Sequence, residues 1–504
     1  MTAVTPDRSP DSTESKTASE VEASAARSVM IGAEMLNWSD LHPEDGRPAT
    51  AGRVPAALLE PVLRAADTVL VAGPHSLELI ELIVDQVASV DVLARSAPDA
   101  EEIADALSDR PVRVFCGALD RFTPEHGESS YDVIVALDGL PRLVGPDTPV
   151  LTWADALEAL KARLAPTGRL LIAAENAFGI ERLIQPDPTV TVPRDEAWPR
   201  DVAGDVAAPA GLKAVRTALE ASGLTVDQAY SLYPELVGAK VAVADASGPL
   251  VGAVIARAVA SRFSGPTLTD PYRTTHDAVA AGLGNELAPA WYFVIGATDL
   301  PQVLPGGAVP DGPGVLLEES LLTALRIDDQ VAVRRTVSGY VTWLLAQDAA
   351  TGAVASADNV LVDGTSYKVF ADGVVVEGSG EALVVGQLAR FVRRSLEAGS
   401  RQPWAAGSSA HDLTSRLVSM AGITVTTELW ATVADGNEPV QPTGNAEQLA
   451  TIARLSQELA DASTQASWFE SQLDGIRRSR PYRIGQAVLN PARVVVKRVR
   501  RVVR

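Results

Sequence analysis

The sequence predicts an α/β fold built on a doubly wound, mostly parallel sheet. Short, continuously apolar runs alternate with helical patterns from residue 67 onward, and such runs are typical of strands that helices cover on both faces. The first run, Thr68–Ala72, enters Gly73 and gives way to a helical pattern at Leu77. A strand, a glycine turn and a helix in this order are typical of nucleotide sites, because the helix N-terminus offers unpaired N–H groups.

The remaining elements of this sheet follow in order along the chain. Strands are predicted at 68–72, 90–94, 112–116, 131–137 and 169–174, and helices at 77–87, 98–107 and 152–164. A helix at 212–222 and an antiparallel strand pair at 224–232 and 240–243 complete the predicted sheet. The irregular stretch 177–210 is either a substrate cap or an unstructured insertion.

Composition limits the possible functions. At 504 residues and 46% hydrophobic content, the chain is long enough for two or three globular domains. A net charge of −21 argues against a nucleic-acid partner. Cys116 is the single cysteine, which excludes an internal disulfide, and the five histidines show no metal-ligand spacing. No leader or run of 18 apolar residues is seen, so we expect a cytoplasmic protein.

The pattern changes on both sides of the predicted sheet. Residues 1–27 are expected to be disordered, and 28–66 contain enough large apolar side chains to dock onto the sheet domain, 67–245, as a lid or edge. An apolar connector helix, 246–263, leads into a second, α+β domain at 264–440. The elements predicted for that domain are strands at 291–296, 331–337, 359–362, 367–370 and 373–376, and helices at 316–325, 340–347 and 382–398.

The C-terminal part is predicted to associate with partners. Apolar residues from Ile452 to Ile476 recur at alternating spacings of three and four, which predicts a coiled coil at 446–478 and a homo-oligomer; the alternative is one amphipathic helix packed on the body. Residues 477–504 contain ten Lys/Arg and no Asp/Glu. The tail 479–504 is therefore either an interfacial helix on anionic lipid, placing the protein peripherally at the inner face of the membrane, or a solvated basic end.

The sheet region resembles a class I S-adenosylmethionine (SAM)-dependent methyltransferase. The resemblance rests on Val69-Leu-Val-Ala-Gly73, Tyr131-Asp-Val-Ile-Val-Ala-Leu-Asp138 and Leu164-Ala-Pro-Thr-Gly-Arg-Leu-Leu-Ile172 in this order. Glu175-Asn-Ala-Phe-Gly179 is similar to a motif of a bacterial branch associated with cell-surface glycan synthesis. The tail, with Arg480-Pro-Tyr-Arg483, is similar to C-termini of glycan-assembly proteins, and the acidic, Ala- and Val-rich composition suits an actinobacterium.

The resemblance implies SAM as cofactor and a set of residues that would hold it. These are Ala72, Gly73, Pro74, Ser76, Arg95, Ala118, Leu119, Asp120 and Ala136. Two departures from the family pattern concern the same ligand. The first turn lacks a second glycine, and Arg95 stands where the family has a carboxylate for the ribose hydroxyls.

Methyl transfer to oxygen needs an aligned donor and a base. The candidates are His75, Asp138 and Glu175, all at carboxyl ends of predicted strands, with Asn176 as a residue that positions a substrate hydroxyl. His75 is otherwise a turn residue bonded to the backbone, and Asp138 otherwise caps a turn. Cys116 is expected to be a buried hydrophobe.

Two functions remain open from the sequence. The first is SAM-dependent methyl transfer to a glycan or nucleotide-sugar intermediate of the cell envelope. The second is a non-catalytic Rossmann-like scaffold or regulator in glycan assembly. A faint similarity of Asp358–Gly364 and Tyr367–Asp372 to kinase-like phosphotransferases is better explained by a β-hairpin.

Overall fold

The computed structural model describes most of the chain. The described residues are 28–42, 47–145, 148, 151–185, 208–263, 267–310, 312–370, 374–397, 400, 403–404, 408–433, 440, 463–473 and 475. Two compact units are distinguished, 1–444 and 445–504. Within the described residues no helix is long and apolar enough to cross a membrane.

The first unit is organised around a ten-stranded sheet. Its strands are β1 (Ser28–Gly32), β2 (Thr68–Ala72), β3 (Ser89–Ala94), β4 (Val112–Gly117), β5 (Tyr131–Ala136), β6 (Leu164–Glu175), β7 (Val226–Tyr233), β8 (Val241–Val243), β9 (Ala290–Ile295) and β10 (Val303–Leu304). The helices are α1 (Arg53–Leu59), α2 (Leu77–Val84), α3 (Ala97–Ala106), α4 (Trp153–Lys161), α5 (Ile180–Ile184), α6 (Leu212–Ala221), α7 (Pro249–Ala260) and α8 (Pro271–Ala280).

The strand order confirms the predicted doubly wound sheet. Along the sheet the strands run β1-β4-β3-β2-β5-β6-β9-β7-β8-β10, and the pairs from β1 to β6 are all parallel. Counted from β2, the five central parallel strands have the order 3-2-1-4-5 of dinucleotide-binding folds. The order reverses between β2 and β5, and this is the switch point at which such sheets bind ligands.

Apolar side chains cover both faces of the sheet. Within β2, Leu70 belongs to one buried cluster while Val69 and Val71 belong to the other, as the period of two in a strand requires. The first cluster includes Leu157 of α4, and the second includes Ile80 of α2. Because helices pack on both faces, the central strands are apolar throughout.

The sheet contains two strands from the stretch that the sequence prediction assigns to a second domain, β9 and β10. Ala290–Ile295 lies between β6 and β7 and is antiparallel to both, so the prediction that 291–296 belongs to a separate domain is wrong. All six of its residues are buried, which suits a central position. The predicted pairing of β7 with β8 is present, but β9 separates that pair from β6.

A largely helical part with its own core follows. It contains the short strands β11 (Val315–Leu316), β12 (Val360–Asp363) and β13 (Ser366–Val369), and the helices α9 (Leu317–Arg326), α10 (Gln330–Leu345), α11 (Ala349–Ala353), α12 (Gly380–Glu397), α13 (Ala410–Met420) and α14 (Thr427–Trp430). The predicted connector helix is α7, and it packs into both cores, with Ile255 in the sheet cluster and Ala256 in the helical one.

Two strand predictions in this part are corrected. Residues 331–337 lie in α10, where Val333, Val337 and Val341 are buried at helical spacing. The strand predicted from this β-branched run is therefore wrong. The predicted strand at 373–376 forms no strand over its described residues, 374–376. In contrast, β12 and β13 form the predicted hairpin, with Asp363 opposite Ser366.

The second unit is described only in part. Residues 463–473 are helical, and Trp468, Phe469 and Leu473 are exposed. The rest of the predicted coiled coil except 475, the tail 479–504, and the N-terminal stretch 1–27 lie outside the described residues. The coiled coil therefore stays a prediction.

Changing Trp291 to Ala tests the central position of β9. Trp291 is 0% exposed, so we expect the free energy of unfolding to fall by about 3–5 kcal/mol. Val331 is 77% exposed on α10, and Val331→Ala should change it by less than about 0.5 kcal/mol. Urea denaturation measures both. Equal, small losses would contradict the placement of β9.

Candidate functional site

The switch point brings together the turns that follow β2 and β5. Gly73 has a φ of 89° and donates its N–H to the carbonyl of Leu93. A Cβ at this position would strain the backbone and would lie 3.0 Å from Leu143 Cδ2. The single glycine of the first turn is thus required by the turn itself.

His75 fixes these two turns to each other. Its Nδ1 lies 3.0 Å from the carbonyl oxygen of Gly73, and its Nε2 lies 3.2 Å from the backbone nitrogen of Leu137. Because Leu137 N–H donates, Nε2 accepts and the proton belongs on Nδ1. Burial, together with the charge of Arg142, lowers the pKa of His75 to about 4. Both ring nitrogens are engaged and the side chain is buried, so His75 is not placed to act as the predicted base.

An N-terminal segment, defined here as residues 28–42 and 47–50, forms β1 at the edge of the sheet and then runs across the carboxyl ends of the parallel strands. The backbone of Ala118, after β4, donates to Gly32, and Met35 donates to Arg95, after β3. Thr50 then exchanges backbone hydrogen bonds with the turn after β2, and its hydroxyl donates to Asp138, after β5, over 2.8 Å. The segment therefore follows the path that a ligand at the switch point would take.

A buried ion network holds this segment in place. Both oxygens of Asp40 accept from Arg95 at 2.8 Å, and Arg142 reaches Asp40 at 2.7 Å and Asp138 at 2.7 Å. The side chains of Asp40, Arg95 and Arg142 are only 3–6% exposed. Burial alone would raise the pKa of Asp40, but the two guanidinium groups outweigh it and hold the pKa well below its usual range.

The space left beside the first turn does not fit SAM. The cavity bounded by Gly73, Pro74, His75, Arg95 and Asp40 lies between the turns after β2 and β3 and has a volume of about 10 Å³. Cofactor sites measure about 300–1,000 Å³. The position of the expected ribose carboxylate is taken by Arg95, whose partner is Asp40 rather than a ligand.

The other predicted cofactor residues are built into the fold. Ala72, Ala118, Leu119 and Ala136 are buried core residues, and the Ser76 hydroxyl caps helix α2 by accepting from Leu79. Asp120 lies 3.3 Å from Arg121, and its Oδ1 is buried without a hydrogen-bond partner in the described part of the chain. The structure brings most of these residues to one edge of the sheet, but under the N-terminal segment.

A separate cleft opens beside the switch point, over the carboxyl ends of β5 and β6. Its volume is about 350 Å³, which is within the range of small-molecule sites. The lining residues are Arg47, Asp138, Gly139, Leu140, Pro141, Arg142, Val144, Leu151, Thr152, Trp153, Ala156, Ala173, Ala174, Glu175, Asn176, Ala177, Arg182, Ala208, Pro209 and Ala210. We call it the β5–β6 cleft.

Three predicted catalytic residues line this cleft with different freedom to react. Burial raises the pKa of Asp138 against the charges of Arg47 and Arg142, and both its oxygens are hydrogen-bonded. Glu175 is about half-exposed and accepts from Arg47 Nη1 over 2.7 Å. The amide of Asn176 donates to the carbonyls of Glu286 and Ala288, so both its donors hold the backbone before β9 rather than a substrate.

Nothing in the described residues points to metal or thiol chemistry. No group of three His, Cys, Asp or Glu side chains is placed to hold a metal ion within the described part of the chain. Cys116 is buried, and burial raises the pKa of its thiol to about 12, so a thiolate is strongly disfavoured.

The sequence analysis missed the residues that close the switch point. Asp40, Arg47, Thr50 and Arg142 were not among the candidates. Only the apolar content of 28–66 indicated that this stretch docks on the sheet. Asp40, Arg47 and Thr50 make their side-chain contacts with the sheet across 55 to 128 residues of chain, beyond any local spacing rule. Arg142 also has a partner four residues before it, Asp138.

Comparisons with known proteins give partial likenesses only. No protein-family model and no curated protein sequence matches the chain. A methyltransferase in complex with the Trm112 activator of Haloferax volcanii is 15% identical, covering 48% of this chain and 88% of its own, with a TM-score of 0.29. The CcbJ methyltransferase of Streptomyces caelestis is 18% identical over 29% of this chain and 58% of its own, with a TM-score of 0.21.

A third structure, the 1,6-didemethyltoxoflavin-N1-methyltransferase of Burkholderia thailandensis with bound S-adenosylhomocysteine, is 20% identical over 24% of this chain and 52% of its own, with a TM-score of 0.18. This chain covers 50% of a structure named as a Zn-dependent alcohol dehydrogenase from Rhodobacter sphaeroides and 51% of a further matching structure. It therefore spans about half the length of each. Methyltransferases are thus among the structures that the chain resembles, but TM-scores this low support no functional argument.

The class of fold follows from the strand order and from the position of the N-terminal segment at the switch point. The chain is a doubly wound, Rossmann-like α/β protein in which the N-terminal segment lies where such folds bind their ligand.

Replacing His75 by Gln should flatten the acid dependence of stability. The folded pKa of about 4 lies below the ordinary 6.5, so the unfolded chain binds the proton more readily. Stability that His75 contributes is therefore full above pH 6.5 and is lost as the pH falls toward 4. The loss is about 3 kcal/mol by the linkage relation.

Urea denaturation of both proteins at pH 4, 5, 6 and 7 measures this effect. The deficit of the variant relative to the wild type should shrink as the pH falls. A deficit that is the same at every pH would show that the pKa of His75 does not differ between the folded and the unfolded chain.

Proposed function

We propose that this protein is a non-catalytic member of the Rossmann-like class, a scaffold or regulator that does not use SAM. The observation that supports the proposal is the N-terminal segment at the switch point, tied down by the buried pairs of Asp40 with Arg95 and Arg142. A role in glycan assembly is a further proposal, and it rests on the sequence resemblance of the 175–179 motif and the tail alone.

The energetics favour this proposal over an open cofactor site. Removing Asp40 from its place leaves the buried guanidinium group of Arg95 without a counter-charge and leaves Arg142 with Asp138 alone, which costs about 3–5 kcal/mol. A cofactor that enters the same space must offset that cost. Its apparent affinity falls by roughly a hundredfold to several thousandfold, since each 1.4 kcal/mol is a factor of ten.

The second candidate is SAM-dependent methyl transfer to a glycan or nucleotide-sugar intermediate. One observation favours it: the β5–β6 cleft adjoins the switch point, and the half-exposed carboxylate of Glu175 lines it. An acceptor in the cleft would lie next to a donor at the switch point, provided that the N-terminal segment moves away. Glu175 is then the base that we favour, because Asp138 is fully hydrogen-bonded.

Calorimetric titration of the full chain with SAM and with S-adenosylhomocysteine separates the two candidates. We expect no heat of binding up to millimolar ligand, because the cavity beside the first turn is too small. Circular dichroism confirms that the titrated protein is folded. Binding in the low micromolar range would overturn the proposal.

A matched pair of variants refines this titration. Asp40→Asn removes the counter-charge of the network, whereas Asp85→Asn removes only a surface partner of Arg110. Binding that appears in Asp40→Asn alone would identify the segment as a gate over a working site and would favour the second candidate. Absence of binding in all three proteins supports the scaffold.

We also propose that the predicted coiled coil, 446–478, joins copies of the chain. Phe469 and Leu473 occupy its predicted seam and are exposed in the described helix, as is Trp468 outside the seam. Changing both seam residues to Glu should give a monomer by light scattering, whereas Trp468→Glu should not. A wild-type monomer excludes the coiled coil.

The predicted contact of the tail with anionic membranes is tested by sedimentation with phosphatidylserine vesicles. The full chain should pellet with the vesicles, and a chain that ends at 478 should not.

A further inference from the structure

The β5–β6 cleft is open although the switch point beside it is closed. Its floor is formed by Ala173 and Ala174 at the end of β6, and Leu140, Pro141 and Trp153 supply larger apolar surface. A concave, mainly apolar space with a few polar groups at one side is the usual form of a small-molecule site. The cleft therefore has room for a ligand that does not need the space at the switch point.

Arg47 supplies a hydrogen-bond donor that no described residue accepts. Its side chain is 13% exposed and lines the cleft. The Nη1 group donates to Glu175 at 2.7 Å and the Nη2 group to the backbone carbonyl of Asp138 at 3.0 Å. The Nε atom is buried and has no hydrogen-bond partner among the described residues. A buried N–H without a partner favours a ligand that brings an acceptor oxygen.

The donor groups of the lining favour an anion over a neutral acceptor. Arg47, Arg142 and Arg182 line the cleft with the carboxylates of Asp138 and Glu175. Arg142 also pairs with Asp40, and Arg182 lies 3.7 Å from Glu181, so the donor left for a ligand is that of Arg47. Thr152 and Trp153 also line the cleft, and they form the N-terminus of α4, where the helix dipole favours negative charge. Guanidinium groups form their strongest hydrogen bonds with carboxylate and phosphate oxygens.

We propose that the β5–β6 cleft binds a small organic anion. The carboxylate or phosphate oxygens lie at Arg47, and a ring or other apolar body packs against Trp153, Leu140 and Pro141. This site goes beyond the scaffold function, because it requires neither SAM nor catalysis.

The test uses the full chain and four probes in calorimetry. Phenyl phosphate and phenylacetate carry the proposed anion and a ring, 2-phenylethanol carries the ring without the charge, and inorganic phosphate carries the charge without the ring. We expect at least one of the two aromatic anions to bind about tenfold or more tightly than both 2-phenylethanol and inorganic phosphate. The stronger of the two shows whether the natural ligand is a carboxylate or a phosphate ester.

Variants locate the binding. Arg47→Gln should weaken the aromatic anion about tenfold or more, and Arg110→Gln, which changes an exposed arginine elsewhere, should not. Because Arg47→Gln alters the ion network, a second variant is needed. Ala177→Trp fills the cleft from an exposed position and should abolish binding while the protein stays folded.

Three results would overturn the proposal. They are the absence of binding for both aromatic anions at millimolar concentration, equal binding of 2-phenylethanol, and unchanged binding in Ala177→Trp. A heat of binding on titration with SAM is a separate result. It would contradict the scaffold proposal only, since the anion site is judged from the aromatic probes.

Discussion

The contact of Asp40 with Arg95 and Arg142 is the interaction on which the closed switch point depends. Two guanidinium groups are buried at the carboxyl ends of β3 and β5, and a buried charge is tolerated only with a partner. One partner, Asp138, belongs to the sheet, and the other comes from the N-terminal segment. The segment therefore supplies a counter-charge that the buried arginines need, and without it the carboxyl ends of these strands would hold unpaired charge.

The same balance explains why the first turn departs from a cofactor turn. In a nucleotide site, the glycine turn and the carboxyl ends of the strands leave polar groups unpaired for the ligand. Here Thr50 bonds both the backbone after β2 and the carboxylate after β5, and His75 bonds the two turns together. Because the chain itself satisfies these groups, a ligand would gain little by entering. The missing second glycine and the missing ribose carboxylate thus belong to one arrangement.

The sequence predicts the central sheet well because its strands are short apolar runs bounded by turns. The sequence also shows that Arg95 stands where a ribose site has a carboxylate, and in the structure Arg95 pairs with Asp40. The partner of Arg95 was not predictable, since Asp40 is 55 residues away and no spacing rule connects them. The position of β9 was missed for a similar reason: a buried apolar strand shows that it is central but not in which sheet. The prediction of a strand at 331–337 is wrong because β-branched residues also occur in helices.

Arg47 connects the closed switch point with the open cleft. It belongs to the N-terminal segment, and it contacts both Asp138 and Glu175. An anion bound to Arg47 in the cleft would add a contact that exists only while the segment lies across the sheet. By linkage, anything that binds this arrangement alone stabilises it against the one with the segment displaced. Binding in the cleft and entry of a cofactor at the switch point should therefore oppose each other, whichever of the two the protein uses in the cell.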